Sequence, residues 1–132
     1  MKPLRWQQRF EHYERSLDFL LEALKEKNKS PVLNAGIIKA YEMSFELAWK
    51  VLKDFLEHEG YQNVTGPRDA LKESFRLGFV LDGHAWLQML EERNLLTHTY
   101  DPTRAAEAVE KIESEYLKNL KALRLKFKNE PA

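Results

Sequence analysis

The stretch "AYEMSFELAWKVLKDFLEHEG", residues 40–60, carries an apolar pattern with helical periodicity. Its apolar side chains recur at steps of three and four residues, which is the spacing of one face of an α-helix. The stripe begins shortly before the quoted stretch and consists of Ile37, Tyr41, Phe45, Ala48, Leu52 and Phe55. Gly60 can adopt the left-handed conformation that ends many helices. The sequence therefore predicts a long amphipathic helix that ends near Gly60.

A second helix is predicted upstream, over roughly residues 4–27. Its apolar positions follow the same spacing, and they are Trp6, Phe10, Tyr13, Leu17, Leu20 and Leu24. The tetrapeptide "NKSP", residues 28–31, separates the two helices, because Pro31 disfavours the helical conformation at Ser30.

Two further helices are predicted downstream of Gly60. The segment "TGPRDALKESFRLG", residues 65–78, reads as a short helix with Pro67 in its first turn and Gly78 after its end. Asp82 is then a suitable N-cap for a longer helix, which we expect to stop near Tyr100. The apolar positions of this longer helix are Trp86, Met89 and Leu90.

A last long helix is predicted from Asp101, as N-cap, and Pro102, at the first helical position. Its apolar stripe consists of Val109, Ile112, Tyr116, Leu120, Leu123 and Phe127. No segment shows the alternation of a β-strand. The predicted fold class is all-α, an antiparallel up-and-down bundle of four long helices plus one short helix, forming a single domain over residues 1–132.

The composition excludes several classes of protein. The chain has 132 residues, of which 21 are basic and 21 are acidic, so its formal net charge is zero. A neutral chain is not expected to bind nucleic acid through a large positively charged surface. The absence of cysteine excludes disulfides and thiolate metal sites. No apolar run approaches the roughly 20 residues of a membrane span, and "MKPLRWQQRF", residues 1–10, lacks a signal-peptide core. We expect a soluble, cytoplasmic protein.

No cofactor or metal ion is predicted. The histidines His12, His58 and His84 have no second ligand at a metal-binding spacing, so we expect them at the surface or at helix ends. No glycine-rich phosphate loop is present, and any nucleotide transfer is therefore expected from a partner protein.

The octet "RNLLTHTY", residues 93–100, is the candidate functional segment. Arg93 occupies a position where the apolar stripe calls for a hydrophobic side chain, and a charged group there needs a partner or an opening. Asn94 and His98 are four residues apart and would share one helix face, with Tyr100 close behind. An imidazole can transfer protons near neutral pH and a guanidinium can clamp a phosphate. This set suits metal-free phosphodiester cleavage in RNA.

Two alternatives stay open from spacing alone. Arg93, Asn94 and His98 could simply cap a helix C-terminus, where a cation is favourable by about 0.3–1 kcal/mol. Glu42 or Glu46 of the preceding long helix could orient Arg93, although the row with Lys50 more simply predicts a solvated ladder of glutamate–lysine pairs. The tryptophans, which are Trp6, Trp49 and Trp86, are predicted to pack in the core and not to stack on bases.

The octet resembles the signature of the HEPN superfamily, in which an arginine and a polar residue are followed, after a few variable positions, by histidine. With Tyr100 it is also similar to the extended form that ends in histidine-x-tyrosine. The segments "GPRDALKESFRLGFV", "AWLQMLEERN" and "THTYD", together with residues 40–60, look like successive blocks of the nucleotidyltransferase substrate-binding protein family.

That resemblance implies a function for the chain. Members are helical bundles that form homodimers in which two motif sites face each other, and they bind a minimal nucleotidyltransferase (MNT), with a heterotetramer as one arrangement. In toxin–antitoxin versions the HEPN subunit resembles a metal-independent endoribonuclease, which MNT silences by AMPylation of the motif tyrosine. The resemblance makes Arg93 and His98 the candidate catalytic pair, Asn94 a supporting residue and Tyr100 the AMPylation site. The alternative that it implies is a non-catalytic nucleotide- or substrate-binding subunit.

Overall fold

A computed structural model of the protein describes residues 2–97 and 101–131, and all the regular secondary structure in these ranges is helical. The predicted all-α helical bundle is confirmed. In chain order the elements are α1 (Arg5–Leu24), α2 (Pro31–His58), α3 (Pro67–Arg76), α4 (Gly83–Leu96), α5 (Pro102–Lys111), a π-helical turn (Ile112–Tyr116) and α6 (Leu117–Lys128). Within the same ranges, no helix has the length and apolar character that crossing a membrane requires.

The predicted N-caps are confirmed at two helices. The Asp82 side chain accepts a hydrogen bond of 3.0 Å from the Ala85 N–H at the start of α4. The Asp101 side chain accepts one of 2.9 Å from the Thr103 N–H at the start of α5. These bonds satisfy amide groups that have no partner within the helix.

The first helix is shorter than the sequence predicts, since α1 ends at Leu24 and not near residue 27. Lys29 explains the early end. Its ammonium donates to the carbonyl oxygens of Leu24, at 3.2 Å, and Glu26, at 2.7 Å. A side chain thus takes up carbonyl groups that a longer helix would have bonded through its own amides.

The core lies where the apolar stripes predict it. Every stripe residue named above from α1, α2, α4 and the last helix is buried. Phe55 of α2 lies at the centre of an aromatic cluster, with ring centroids 5.4 Å from Trp6, 5.0 Å from Phe79 and 5.2 Å from Phe127. This cluster joins both long N-terminal helices, the segment after α3 and the last helix.

The last helix contains a π-helical turn that the spacing of apolar residues does not reveal. The Leu117 N–H bonds to the carbonyl of Ile112, five residues earlier, so this turn holds one more residue than an α-helical turn. Tyr116 and Leu117 both face the interior as a result. The Tyr116 ring stacks on that of Tyr41 at 5.9 Å.

Helices α2 and α4 are held together by a buried hydrogen bond. The Tyr41 hydroxyl donates to the Met89 carbonyl oxygen over 2.9 Å. Burial raises the pKa of Tyr41 far above its usual value, and the nearby groups of Tyr116 and Glu92 raise it further, so the phenol remains a donor at neutral pH. This bond holds α4 against α2 one helical turn before Arg93.

Candidate functional site

Arg93 reaches from α4 to α2 and forms an ion pair with Glu46. Its Nη2 atom donates to Glu46 Oε2 over 2.9 Å. The side chains of Arg93 and Glu46 are 33% and 31% exposed, so the pair is only partly shielded from solvent. Glu46 is therefore the partner that a charged residue requires at a position of the helix where an apolar side chain is expected.

Three donors from different side chains converge on the Glu46 carboxylate. Besides Arg93, the Trp49 indole N–H donates to Oε2 over 3.0 Å, and Lys50 Nζ lies 3.4 Å from Oε1. The Glu46–Lys50 pair of the predicted ladder is present, but the shortest contact of Glu46 crosses to Arg93 on another helix. Trp49 is half-buried and packs against the core, and Trp6 and Trp86 are buried, so all three tryptophans pack as predicted.

Asn94 supports Arg93 from the adjacent position in the chain. Arg93 Nη1 donates to Asn94 Oδ1 over 3.1 Å. A guanidinium has five N–H donors, and these contacts occupy two of them within the part of the chain that the structure describes. The guanidinium is thus held in place while some donors are left for a ligand.

Arg93 lines a cleft of about 320 Å³ between α2 and α4. The α2 wall of the cleft presents Lys39 and Glu42, next to the apolar side chains of Met43 and Leu47. Half of the Met43 surface is open to solvent. The cleft combines a cation held at its edge with an apolar wall, which suits a phosphate group attached to an apolar or aromatic moiety.

His98 and Tyr100, the other two predicted site residues, lie outside the described residues. Helix α4 ends at Leu96 and not near Tyr100, and Thr97 is its C-cap. The Thr97 hydroxyl donates to the Arg93 carbonyl over 3.1 Å, in place of a further helical amide. The structure brings Arg93 and Asn94 together, and a shared helix face for Asn94 and His98 stays a prediction.

A second polar cluster lies between the end of α4 and the π-helical turn, and no sequence pattern pointed to it. Lys111 Nζ lies 5.9 Å from the Tyr116 ring centroid, and the charge of Glu92 acts on both groups. The phenolate charge of Tyr116 raises the pKa of Lys111, while burial and then Glu92 raise the pKa of Tyr116. Lys111 and Tyr116 are five residues apart in the chain. A π-helical turn, with its bonds between residues five apart, brings two such residues to the same face of a helix.

Metal ligands are not grouped in the part of the chain that the structure describes. Over residues 2–97 and 101–131, no set of three or more His, Asp or Glu side chains is placed to hold an ion.

Comparisons with known proteins give one family and one shared fold. A family model described as "Nucleotidyltransferase substrate binding protein like" matches residues 8–129. The chain is 32% identical over 77 residues to a Haemophilus influenzae protein described as "Probable ribonuclease HepT", a match that covers 55% of this chain and 53% of that protein. The match therefore spans about half the length of this relative. A Thermus thermophilus protein of known crystal structure is similar in fold, with a TM-score of 0.76 and 23% identity over 84% of this chain and 94% of that one.

Proposed function

Because the chain belongs to the family described as nucleotidyltransferase substrate binding protein like, within the HEPN superfamily, we propose that it is a metal-independent endoribonuclease controlled by a nucleotidyltransferase partner. The observation that carries the proposal is the Arg93–Glu46 pair, which holds a guanidinium at the edge of an open cleft, five residues before His98. The description of the Haemophilus influenzae relative as a probable ribonuclease supports the same reaction.

The proposed reaction is transesterification at a ribose 2′-hydroxyl. The hydroxyl loses its proton and its oxygen attacks the adjacent phosphorus, the bond from phosphorus to the 5′-oxygen breaks, and that oxygen leaves with a proton. His98 provides one of these two proton transfers. Arg93 donates hydrogen bonds to the phosphoryl oxygens, on which negative charge increases in the transition state. The products are a 2′,3′-cyclic phosphate and a free 5′-hydroxyl.

Glu46 acts in this proposal as a positioning residue for Arg93. It does not touch the RNA, but it aligns the guanidinium through the bond of 2.9 Å and is itself fixed by Trp49 and Lys50. A mobile guanidinium would have to be ordered during the reaction, and this cost would reduce the rate that preorganised donors provide.

Glu46→Gln is expected to lower kcat for RNA cleavage roughly tenfold with little change in KM, because the amide holds the guanidinium less firmly but RNA still binds the cleft. Initial rates on a labelled RNA oligonucleotide would measure both constants. Glu57→Gln is a matched control, since Glu57 is also on α2 and pairs with a lysine, Lys53, at 3.0 Å. Equal kcat in Glu46→Gln and wild type would contradict the positioning role.

The proposed partner is a minimal nucleotidyltransferase that transfers AMP to Tyr100. In this scheme the chain forms a homodimer, and the homodimer with two partner molecules makes a heterotetramer in a toxin–antitoxin module. A bulky, negatively charged nucleotide on Tyr100 would lie seven residues from Arg93 in sequence and would compete with RNA phosphate for that cation.

Co-expression with the proposed nucleotidyltransferase partner is expected to add the mass of one AMP residue per chain and to suppress RNA cleavage. Intact-mass spectrometry of the purified complex would detect the addition, and Tyr100→Phe should remove it. Tyr61, which is half-buried beyond the end of α2, offers a matched Tyr→Phe control. An unmodified chain that does not co-purify with that enzyme would contradict the proposed regulation.

A second candidate function is a non-catalytic subunit that presents a nucleotide or another substrate to the nucleotidyltransferase. The family description, which refers to substrate binding, favours it. Under this alternative Arg93 only holds a phosphate. Nucleotide binding at the Arg93 cleft by a chain that cleaves no RNA would distinguish it from the nuclease.

A further inference from the structure

A pocket of about 380 Å³ lies between α6 and the segment that joins α3 to α4, and it shares no lining residue with the Arg93 cleft. Its lining is mostly apolar and includes Phe79, Trp86 and Leu123. Its volume falls within the usual range of small-molecule sites, about 300–1,000 Å³. None of its lining residues is required by the proposed nuclease or its partner.

The pocket is formed before any ligand arrives. The amides of Phe79 and Val80 both bond to the Ser74 carbonyl, at 2.8 and 3.3 Å, and this fixes the joining segment. Trp86 is buried, and the Phe79 ring packs edge-on against the buried Phe55. A ligand would therefore not have to order a loop, which lowers the entropic cost of binding.

Ala122 creates the opening of the pocket on the α6 side. It is exposed, and it lies one helical turn from Lys118 on one side and from Lys126 on the other. The small side chain leaves a gap between two long lysine side chains, whose Cα atoms are about 12 Å apart along the helix axis. A larger residue at this position would fill the gap.

The two ends of the pocket differ in charge. Lys126 is at the end formed by the joining segment, where its Nζ lies 5.3 Å from the Phe79 ring centroid and 3.4 Å from Glu130 Oε2. Asp82 lines the pocket too, at the start of α4. Because Glu130 already neutralises Lys126 and Asp82 adds a second carboxylate, this end is unfavourable for an anion.

The other end presents donors without strong acceptors. Asn119 Nδ2 lies 3.7 Å from the Met89 sulfur, which places this end beside Met89, two turns along α4 from Asp82. A thioether is a weak acceptor, so the amide can turn to a stronger one. Lys118 is exposed and forms no ion pair within the described part of the chain. Two donors, one of them charged, thus line this end of a pocket whose wall is aromatic.

We propose that this pocket binds a small aromatic anion, with its flat ring against Phe79, Trp86 and Leu123 and its carboxylate or phosphate on Lys118 and Asn119. Aromatic walls favour a ring over an acyl chain, because rings gain from edge-to-face and offset packing beyond the area they bury. A nucleoside monophosphate and an aromatic carboxylic acid both carry this chemistry. The site is separate from the Arg93 cleft and does not depend on nuclease activity.

The test is calorimetric titration of the whole protein with AMP and, separately, with 1-naphthoate. Wild type is expected to bind at least one of them saturably at this pocket, with a Kd below about 1 mM. Any AMP that binds at the Arg93 cleft would not respond to the pocket variants that follow. Ala122→Leu, which fills the opening and preserves the charges, should weaken binding at least tenfold. Lys118→Gln should weaken it roughly fivefold, because a charged donor is replaced by a neutral one.

Matched controls distinguish binding at this site from non-specific binding. Lys121→Gln removes a neighbouring lysine of α6 that lines a different recess, with Asp18 and Glu22, and it should leave binding unchanged. The uncharged analogues, adenosine and 1-naphthylmethanol, should bind more weakly than the anions and should not respond to Lys118→Gln. Perturbation of the Trp86 indole resonance in NMR spectra should accompany binding.

Saturable binding of either anion would support the site. The anion that binds more tightly would indicate whether the natural ligand is a nucleotide or an aromatic carboxylic acid. Two results would overturn the proposal. The first is the absence of saturable binding of both anions up to about 1 mM, and the second is binding that Ala122→Leu, shown to be folded by circular dichroism, leaves unchanged. Cleavage of RNA plays no part in these measurements, so failure of the nuclease proposal would leave them interpretable.

Discussion

Arg93→Ala is expected to slow RNA cleavage by about 10²–10³-fold, the usual effect of removing one preorganised donor to a developing negative charge. The guanidinium is held at the edge of its cleft by Glu46 and Asn94, so its donors need little rearrangement when the phosphate becomes more negative. The measurement is the rate of formation of the 2′,3′-cyclic phosphate from a defined RNA in the presence of EDTA. His98→Ala should cause a loss of similar or greater size.

The fold should survive the loss of Arg93. Glu46 keeps its contacts with Trp49 and Lys50, and a partly exposed ion pair contributes less than about 1 kcal/mol. Arg93→Lys should retain part of the activity, since lysine supplies charge but not the fork of donors. Arg15→Ala is the matched control, because Arg15 is an exposed arginine of α1 that pairs only loosely, at 3.8 Å, with Glu11. Cleavage at the wild-type rate by Arg93→Ala would assign the activity to a contaminant.

Phe55→Ala is expected to reduce the free energy of unfolding by about 3–5 kcal/mol, the range found when a large buried aromatic is truncated. Phe55 is 1% exposed and lies within 5.4 Å, between ring centroids, of each of Trp6, Phe79 and Phe127. Its removal would leave a cavity at the point where both long N-terminal helices, the joining segment and the last helix meet. Urea unfolding followed by circular dichroism would measure the change.

Phe19→Ala is the control for that experiment. Phe19 is on α1 and 67% exposed, so its truncation should change stability by no more than about 0.5 kcal/mol. A loss below about 1 kcal/mol in Phe55→Ala would mean that the cluster repacks, and the central place of Phe55 in the core would then be wrong.

The positions of the helices and of the core could be read from the sequence. Apolar residues three and four apart can be buried together only on one face of a helix, and this condition is local. It identified buried positions of α2 between Ile37 and Phe55 and of the last helix between Val109 and Phe127, but not the buried residues of α2 that lie off the stripe, such as Ile38 and Val51. The N-caps Asp82 and Asp101 were predictable for the same reason, since each bonds an amide two or three residues ahead.

The site was only half predictable. The sequence identified Arg93 as a charge at an apolar position. It offered both Glu42 and Glu46, which lie on one face of α2, as residues that could orient Arg93, and the spacing did not favour either. Only the packing of α2 against α4 decided for Glu46, because the two residues are 47 positions apart and their contact depends on how the helices are rotated. The catalytic assignment of His98 stays a prediction from the motif, since His98 lies outside the described residues.

The order of the amino acids was enough to find the helical segments, their buried faces and the charged position that needs a partner, because each of these follows from neighbours within a few residues. Three features came only from the structure: the carboxylate that holds Arg93, the π-helical turn next to Lys111, and the pocket next to Ala122. The π-helical turn changes the backbone within one helix, which the spacing of apolar residues does not reveal. The other two depend on how separate segments lie against one another, and periodicity along one helix carries no information about the rotation of its neighbour.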